Sequence, residues 1–313
     1  ALISRIAQSH LRVGTFQYGM YYASMEERKQ LADYVIERHY PYLVQTEQPY
    51  VSFFKEVMKK QAQLIAKWQA VGFVHGVMNT DNMTISGETI DYGPCAFLDT
   101  YVPHQVFSSI DQDGRYAYNQ QPKIAGWNLT RLAESLLPLF DEEQERAVRI
   151  AEEILPLFGQ WYEHYWLTEM RKKLGLVEPM EEDALFVSEL LTIMAQEQRD
   201  FTETFIDLTI EDEDALQLAT SDLMKDWYRR WQSRIKSYRV EAIEQMKKVN
   251  PSFIPRNYLV DRAIADWVLL DDSSSVEQLI EQVRQPFSYS KWQLDYRLPE
   301  LERNKRHQTF CGT

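Results

Sequence analysis

The sequence predicts a mainly α-helical protein with one short region of strands and turns, and three observations carry that expectation. Apolar residues recur at three- and four-residue spacing through several long windows, as one buried helix face requires. Around residues 73–91 the period changes to the alternation of short strands. No glycine-rich linker and no internal repeat divides the chain, so residues 1–313 read as a single domain.

Taken in order, Ser24 followed by Glu27 forms a capping box, and Leu31, Val35 and Ile36 continue one apolar face until Pro41 ends the helix. A second helix is expected from about Ser52 to Val71, with Phe53, Val57, Leu64, Ile65, Trp68 and Val71 on one stripe and Gly72 as its stop. Phe73-Val74 then reads as a short apolar strand. Met83-Thr84-Ile85, Ser86-Gly87 and Thr89-Ile90 alternate around a turn as a small β-hairpin would. From Pro94 to Pro122 the chain is loop-like. Helices return at 127–139, 142–158, 182–198 and 222–249. Periodicity is weakest after Pro251, and the polar stretch 299–313 reads as an extended or mobile tail.

With 44% hydrophobic residues in 313, the chain can fill a substantial core. No stretch approaches the roughly 20 apolar residues of a membrane helix, and the opening ALISRIAQSH lacks the layout of a secretion signal. Neither a membrane nor a secretory assignment is supported. The net charge of −13 comes with acidic blocks such as Asp141-Glu142-Glu143 and Glu211-Asp212-Glu213-Asp214, and no basic stripe is visible. A non-specific nucleic-acid binder is therefore not expected. Two cysteines, Cys95 and Cys311, exclude a disulfide scaffold and an all-cysteine zinc site and suit a reducing compartment. No paired-histidine metal motif occurs, and His10, His39, His104 and His164 read as structural or surface residues.

The informative stretch is His75-Gly76-Val77-Met78-Asn79-Thr80-Asp81-Asn82, followed after the turn by Asp91-Tyr92-Gly93. A hairpin between Asn82 and Asp91 would return both oxygen-bearing side chains to one end of two paired strands. Hard oxygens so placed suit Mg²⁺ or Mn²⁺, which take a few carboxylate or amide oxygens together with nucleotide phosphates. Kinases use this layout: an Asn after the catalytic loop and the Asp of a D-F-G triplet hold the metals. Counting from His75, that Asn falls on Asn82, whereas the usual catalytic Asp falls on Val77. Asp81, beside Asn82, is the residue available to take over proton abstraction. Read singly, an Asn and two Asp in a turn-rich segment are more often turn residues than ligands; the order of helix, glycine stop, strand, HG, DN and DYG is what favours the kinase-like reading.

Several segments taken together, HGVMNTDNM, TIDYGP, GRYAYNQQP, WNLTRLAESLLP and a cysteine third from the end, resemble the selenoprotein O family of pseudokinase-fold proteins. The resemblance covers nearly the whole chain. It implies the C-terminal lobe of a protein-kinase-like fold, and an enzyme that binds ATP in an inverted orientation and transfers AMP to protein hydroxyls. By that similarity Asp81 is the catalytic Asp, and Asn82 and Asp91 are the metal ligands. SRIAQSHLRVGTF resembles the family segment whose two arginines meet the nucleotide phosphates, here Arg5 and Arg12. It further implies a cytoplasmic protein if bacterial, and a mitochondrial one if eukaryotic.

Unlike complete members, this sequence has no glycine-rich loop and no V-A-I-K pattern, so an N-terminal lobe is expected to be absent from this chain. Cys311 stands where some relatives carry selenocysteine, and Cys95 follows the DYGP motif directly; a disulfide between them would tie the tail to the metal loop. Two further function classes stay open. The same metal residues serve ordinary phosphoryl transfer, and Val77 in place of the usual Asp suits a non-catalytic scaffold.

Overall fold

A computed structural model describes residues 4–211, 221–291, 293 and 309 of the chain. The N-terminal half is built around two amphipathic helices, at Met25–His39 and Pro49–Val71. After α1 (Val13–Tyr22), the hydroxyl of Ser24 accepts the amide of Glu27 while the Glu27 carboxylate accepts that of Ser24, and this capping box starts α2 (Met25–His39). Ala32, Val35 and Ile36 are its buried stripe. Helix α3 (Pro49–Val71) begins three residues before Ser52, because Pro49 suits the first turn, where its missing N–H is no loss. It ends where expected: Gly72 takes φ +70, the left-handed conformation that a side chain resists.

The chain then makes a two-stranded antiparallel sheet from β1 (Phe73–Val74) and β2 (Ala96–Phe97), with Phe73 opposite Phe97 and Val74 opposite Ala96. The expected hairpin over 83–90 is not a ladder. Thr84 instead pairs antiparallel with Arg12, through Val13 N–H to Met83 O at 2.9 Å and Ile85 N–H to Leu11 O at 3.1 Å. The turn after it is closed by a side chain, with Thr84 Oγ1 donating to Glu88 O and accepting from Glu88 N. Alternation made residues 83–85 extended; it could not say that their partner lies some seventy positions upstream.

Helix α4 (Gln121–Phe140) starts before the expected 127, again with a proline in its first turn. Residues 142–158, expected as one helix, divide into α5 (Gln144–Ile154) and the start of α6 (Leu157–Lys173) around Leu155-Pro156. Helix α7 (Asp183–Gln196) matches its expectation, and α8 (Phe201–Ile210) was not foreseen. Residues 222–249 also divide, into α9 (Asp222–Ile235) and α10 (Arg239–Val249), with a 3₁₀ turn at Lys236–Tyr238 between them. The weakly patterned region after Pro251 is helical too, as α11 (Asn257–Leu270) and α12 (Ser274–Val283).

Two hydrophobic clusters form among the described residues. One joins α1 to α6, with Phe16, Phe53, Phe54, Met58, Leu129 and Phe158 among its buried members. The other joins the end of α6 to α7, α8, α9 and α10 around Phe201, Phe205, Trp227 and Trp231. Neighbouring strand residues face opposite ways, so Phe73 enters the first cluster and Val74 the second. The β1–β2 sheet is thus wedged between both cores, and the segment between its strands, 75–95, is held from both sides. No helix among the described residues is long and apolar enough to cross a membrane. The tail expected at 299–313 lies outside the described residues except for Thr309, whose amide donates to Phe107 O at 2.9 Å and whose carbonyl accepts from Ser109 N at 3.0 Å.

Candidate active site

The segment between β1 and β2 is positioned by buried amides and one imidazole. Gln121 of α4 accepts His75 N–H with its Oε1 at 3.0 Å and donates its Nε2 to Phe73 O at 2.9 Å. Seven residues along the same helix, Asn128 Nδ2 donates to Met78 O at 2.9 Å. Gln61 of α3 donates to Thr84 O at 2.5 Å. Buried backbone carbonyls need partners, and fixed amides supply them where no sheet does.

His75 is fully buried and bridges the two halves of the loop. Its Nδ1 accepts Val77 N–H at 3.4 Å and its Nε2 meets Ile90 O at 2.8 Å, so Nε2 carries the proton. Burial pushes its pKa below the ordinary histidine value, against the pull of the Ile90 carbonyl and Asp91. The neutral imidazole therefore acts as a strut that fixes Ile90, and with it Asp91. Gly76, at φ +84, lets the loop pass the D-Y-G-P turn: a Cβ there would lie 2.6 Å from Pro94 O.

Asn82 and Asp91 line one cleft of about 680 Å³ together with Arg5, His10, Val77 and Asn79. Asp91 takes φ +57, uncommon for a non-glycine residue, and its carboxylate is mostly buried. Two guanidiniums converge on it: Arg5 contacts Oδ1, and Arg12 Nη1 lies 3.0 Å from Oδ2. The Arg5 contact is not a well-formed hydrogen bond, since Oδ1 is buried without one. The Asn82 side chain donates Nδ2 to Val77 O at 2.8 Å, which leaves its Oδ1 as the uncommitted atom.

Asp81 does not line that cleft. It is exposed on the 3₁₀ turn Thr80–Asn82, where Asn79 Oδ1 accepts its N–H at 3.1 Å, and its carboxylate rests against Gly14 at the start of α1. A Cβ on Gly14 would overlap Asp81 Oδ1. The Arg12–Thr84 pairing that starts α1 is therefore what places Arg12 at Asp91 and Gly14 at Asp81.

A divalent cation fits this donor set only as a guest that brings ligands with it. Among the described residues no group of three His, Cys, Asp or Glu side chains could hold a metal. Asp91 and the free Asn82 Oδ1 offer two hard oxygens, the contribution that Mg²⁺ takes from protein when phosphates complete its shell.

Cys95 is a free, half-buried thiol, its pKa pushed up by burial; Cys311 lies outside the described residues. Thr309, two positions before it, donates its hydroxyl to Pro94 O at 2.7 Å, next to Cys95. Sequence reasoning missed Gly14, Gln61, Gln121, Asn128 and the cleft position of His10. A polar residue on an otherwise apolar helix face, as Asn128 is in α4, was the available signal for the buried amides.

Comparison with known proteins gives the family. The family model described as protein adenylyltransferase SelO matches residues 1–284. The chain is 49% identical to the protein nucleotidyltransferase YdiU of Bacillus cereus (strain G9842) and 48% identical to that of Geobacillus kaustophilus (strain HTA426). It is 49% identical to that of Bacillus mycoides (strain KBAB4). Each comparison covers all of this chain and 65% of the relative, so the chain spans about two thirds of their length. The chain belongs to the SelO family.

Proposed function

We propose that this chain carries the nucleotide and metal site of a protein adenylyltransferase, which moves AMP from ATP to Ser, Thr or Tyr hydroxyls of other proteins, within a lobe of protein-kinase type. Family membership supports the reaction class. The observation that carries the site assignment is the convergence of Arg5 and Arg12 on Asp91 in a cleft also lined by Asn82. Two guanidiniums against one carboxylate leave a surplus positive charge where phosphates would lie.

Arg5 and Arg12 turn from Asp91 to the nucleotide phosphates, for which their planar forks are suited. Asp91 and Asn82 Oδ1 are the residues that would hold Mg²⁺ or Mn²⁺. A divalent cation held there would supply positive charge to the phosphates and the leaving group. Asp81 takes the proton of the acceptor hydroxyl as its oxygen bonds to the α-phosphorus; the bond from that phosphorus to the bridging oxygen breaks, and pyrophosphate leaves. Gly14 keeps Asp81 within reach by leaving it room. A glycine-rich loop and Lys–Glu pair, if used, must come from sequence outside these residues. The bacterial sources of the relatives favour the cytoplasmic alternative over the mitochondrial one.

The thiols of Cys95 and Cys311 are the pair we assign to a redox device, supported by Thr309 beside Pro94. Oxidised glutathione would convert the two thiols to a disulfide and release two reduced glutathiones. Mass spectrometry of the non-reduced protein should find a Cys95–Cys311 peptide; free thiols only would remove the device.

Asp81→Ala in the full-length protein tests the main reading. Transfer to protein acceptors should be lost while ATP still binds. Every activity surviving that change would favour the scaffold reading, which Val77 at the usual base position motivates.

A further inference from the structure

A second cleft, of about 510 Å³, shares no residue with the first; His104, Asp113, Arg115, Gln120 and Lys123 are among the residues that line it. Helix α4 joins the two. Its opening turns place Lys123 and Ile124 at this second cleft, while Gln121 and Asn128 hold the loop of the candidate active site. Lys123 and Asn128 are five residues apart, a rise of about 7.5 Å along a helix.

Arg115 and Lys123 are exposed, and neither has a carboxylate partner among the described residues. The Arg115 guanidinium is nonetheless well placed. It lies 4.8 Å from the centre of the Trp127 ring and 5.7 Å from that of Tyr116, and Arg131 stacks on Trp127 at 5.4 Å. Its loop is braced by Asp111, whose two carboxylate oxygens accept the amides of Arg115 at 2.9 Å and Tyr116 at 2.8 Å. The cleft's own acid, Asp113, leaves it one positive charge in surplus before His104 is counted. In a chain of net charge −13, such a local surplus selects for an anion that the rest of the surface repels. A guanidinium already held on an indole loses little freedom when it pairs with a carboxylate.

We propose that this cleft docks an acidic segment of the acceptor protein, with its carboxylates on Arg115 and Lys123, so that hydroxyls flanked by Asp or Glu are favoured. The proposal rests on the adenylyltransferase reading for the presence of an acceptor. Its test separates the two by measuring binding apart from turnover.

The probe is a fluorescein-labelled peptide with one Ser among Glu residues, its control the same peptide with Lys in place of Glu, and the readout fluorescence anisotropy with the full-length protein. Binding of the Glu peptide should weaken roughly tenfold in Arg115→Glu/Lys123→Glu and should fall with added salt. Both side chains are exposed and outside the Asp111 brace, so an unchanged Tm will show that the variant folds. Equal binding of the Glu peptide by wild type and variant would overturn the proposal. So would a single-stranded oligonucleotide of equal charge that displaces the peptide through the same two residues. Absence of labelled AMP on every peptide, with peptide binding intact, would count against the adenylyltransferase reading and leave the docking site standing.

Discussion

Arginine meets carboxylate in two places in this molecule, in opposite proportions. Around Arg256, one guanidinium faces three acids: its Nη1 lies 2.6 Å from Asp99 and 2.8 Å from Asp200, and its Nη2 lies 3.2 Å from Glu203. Arg256 is only 5% exposed. Burial alone would lower its pKa, but Asp200, Asp99 and Glu203 reverse that and raise it. Around Asp91 the numbers invert, with two guanidiniums on one carboxylate, and Arg5 is 57% exposed beside an open cleft. This buried cation, enclosed by acids, has beside it a cavity of only about 10 Å³, and it ties the segment after β2 to α8 and α11. An acid shared by two cations at a cleft can release them to phosphate. The first arrangement closes on itself, and the second is the one we propose to exchange its partner for phosphate.

Several substitutions would break or sharpen that contrast. The largest effect on stability is expected for Arg256→Leu, which removes the cation shared by three buried or half-buried carboxylates. A loss of about 3–5 kcal/mol, or roughly 10 °C in Tm, should be seen by calorimetry. Arg12→Ala should do the reverse, leaving Tm nearly unchanged while AMP transfer falls about 10²-fold or more, as for removal of one charge-stabilising donor. Similar Tm losses in both variants would erase the distinction.

Gly14→Ala comes next. Its methyl would displace Asp81, and a misplacement of about 1 Å costs on the order of 10² in rate. Initial rates at saturating ATP should show the loss in kcat, with ATP affinity retained. A variant as active as wild type would remove Asp81 from the role of base.

A separate, pH-dependent effect concerns Lys173, buried at the end of α6 with its Nζ 2.8 Å from Asn250 Oδ1 and 3.9 Å from the centre of the Phe205 ring. Burial pushes its pKa down to about 7, with Glu169 pulling the other way. The unfolded chain then binds the extra proton between that value and the ordinary lysine range. Stability should therefore rise with pH from about 7 towards 10. The Phe205 ring favours the charged form, so the rise should begin no lower than about pH 7. Urea unfolding of Lys173→Met should lack this rise; an unchanged pH profile would place the effect elsewhere.

What could be read from the sequence follows from how local the causes are. The capping box at Ser24, the Gly72 stop and the strand at Phe73-Val74 each depend on a few neighbouring residues, and each was legible. Helix α8 was not, because Phe201 to Thr209 are all buried and no polar face remains to give a period. Helix α6 was missed because Trp161, Tyr162, Tyr165 and Trp166 are all half-buried, which blurs its stripe. Asp81, Asn82 and Asp91 were singled out by their spacing together with the family resemblance. The groups that aim them, Gly14, Gln121 and Asn128, come from distant stretches and needed the fold to be seen.

The central claim is that Arg5, Arg12, Asn82 and Asp91 present the α-phosphorus of ATP to a protein hydroxyl. Incubating the full-length protein and an acceptor protein with ATP labelled at either the α- or the γ-phosphate tests it most directly. The account predicts label on the acceptor from α-labelled ATP, none from γ-labelled ATP, and loss of the signal in Asp91→Ala. Label arriving from the γ-phosphate alone would contradict it and make the same residues those of a phosphotransferase.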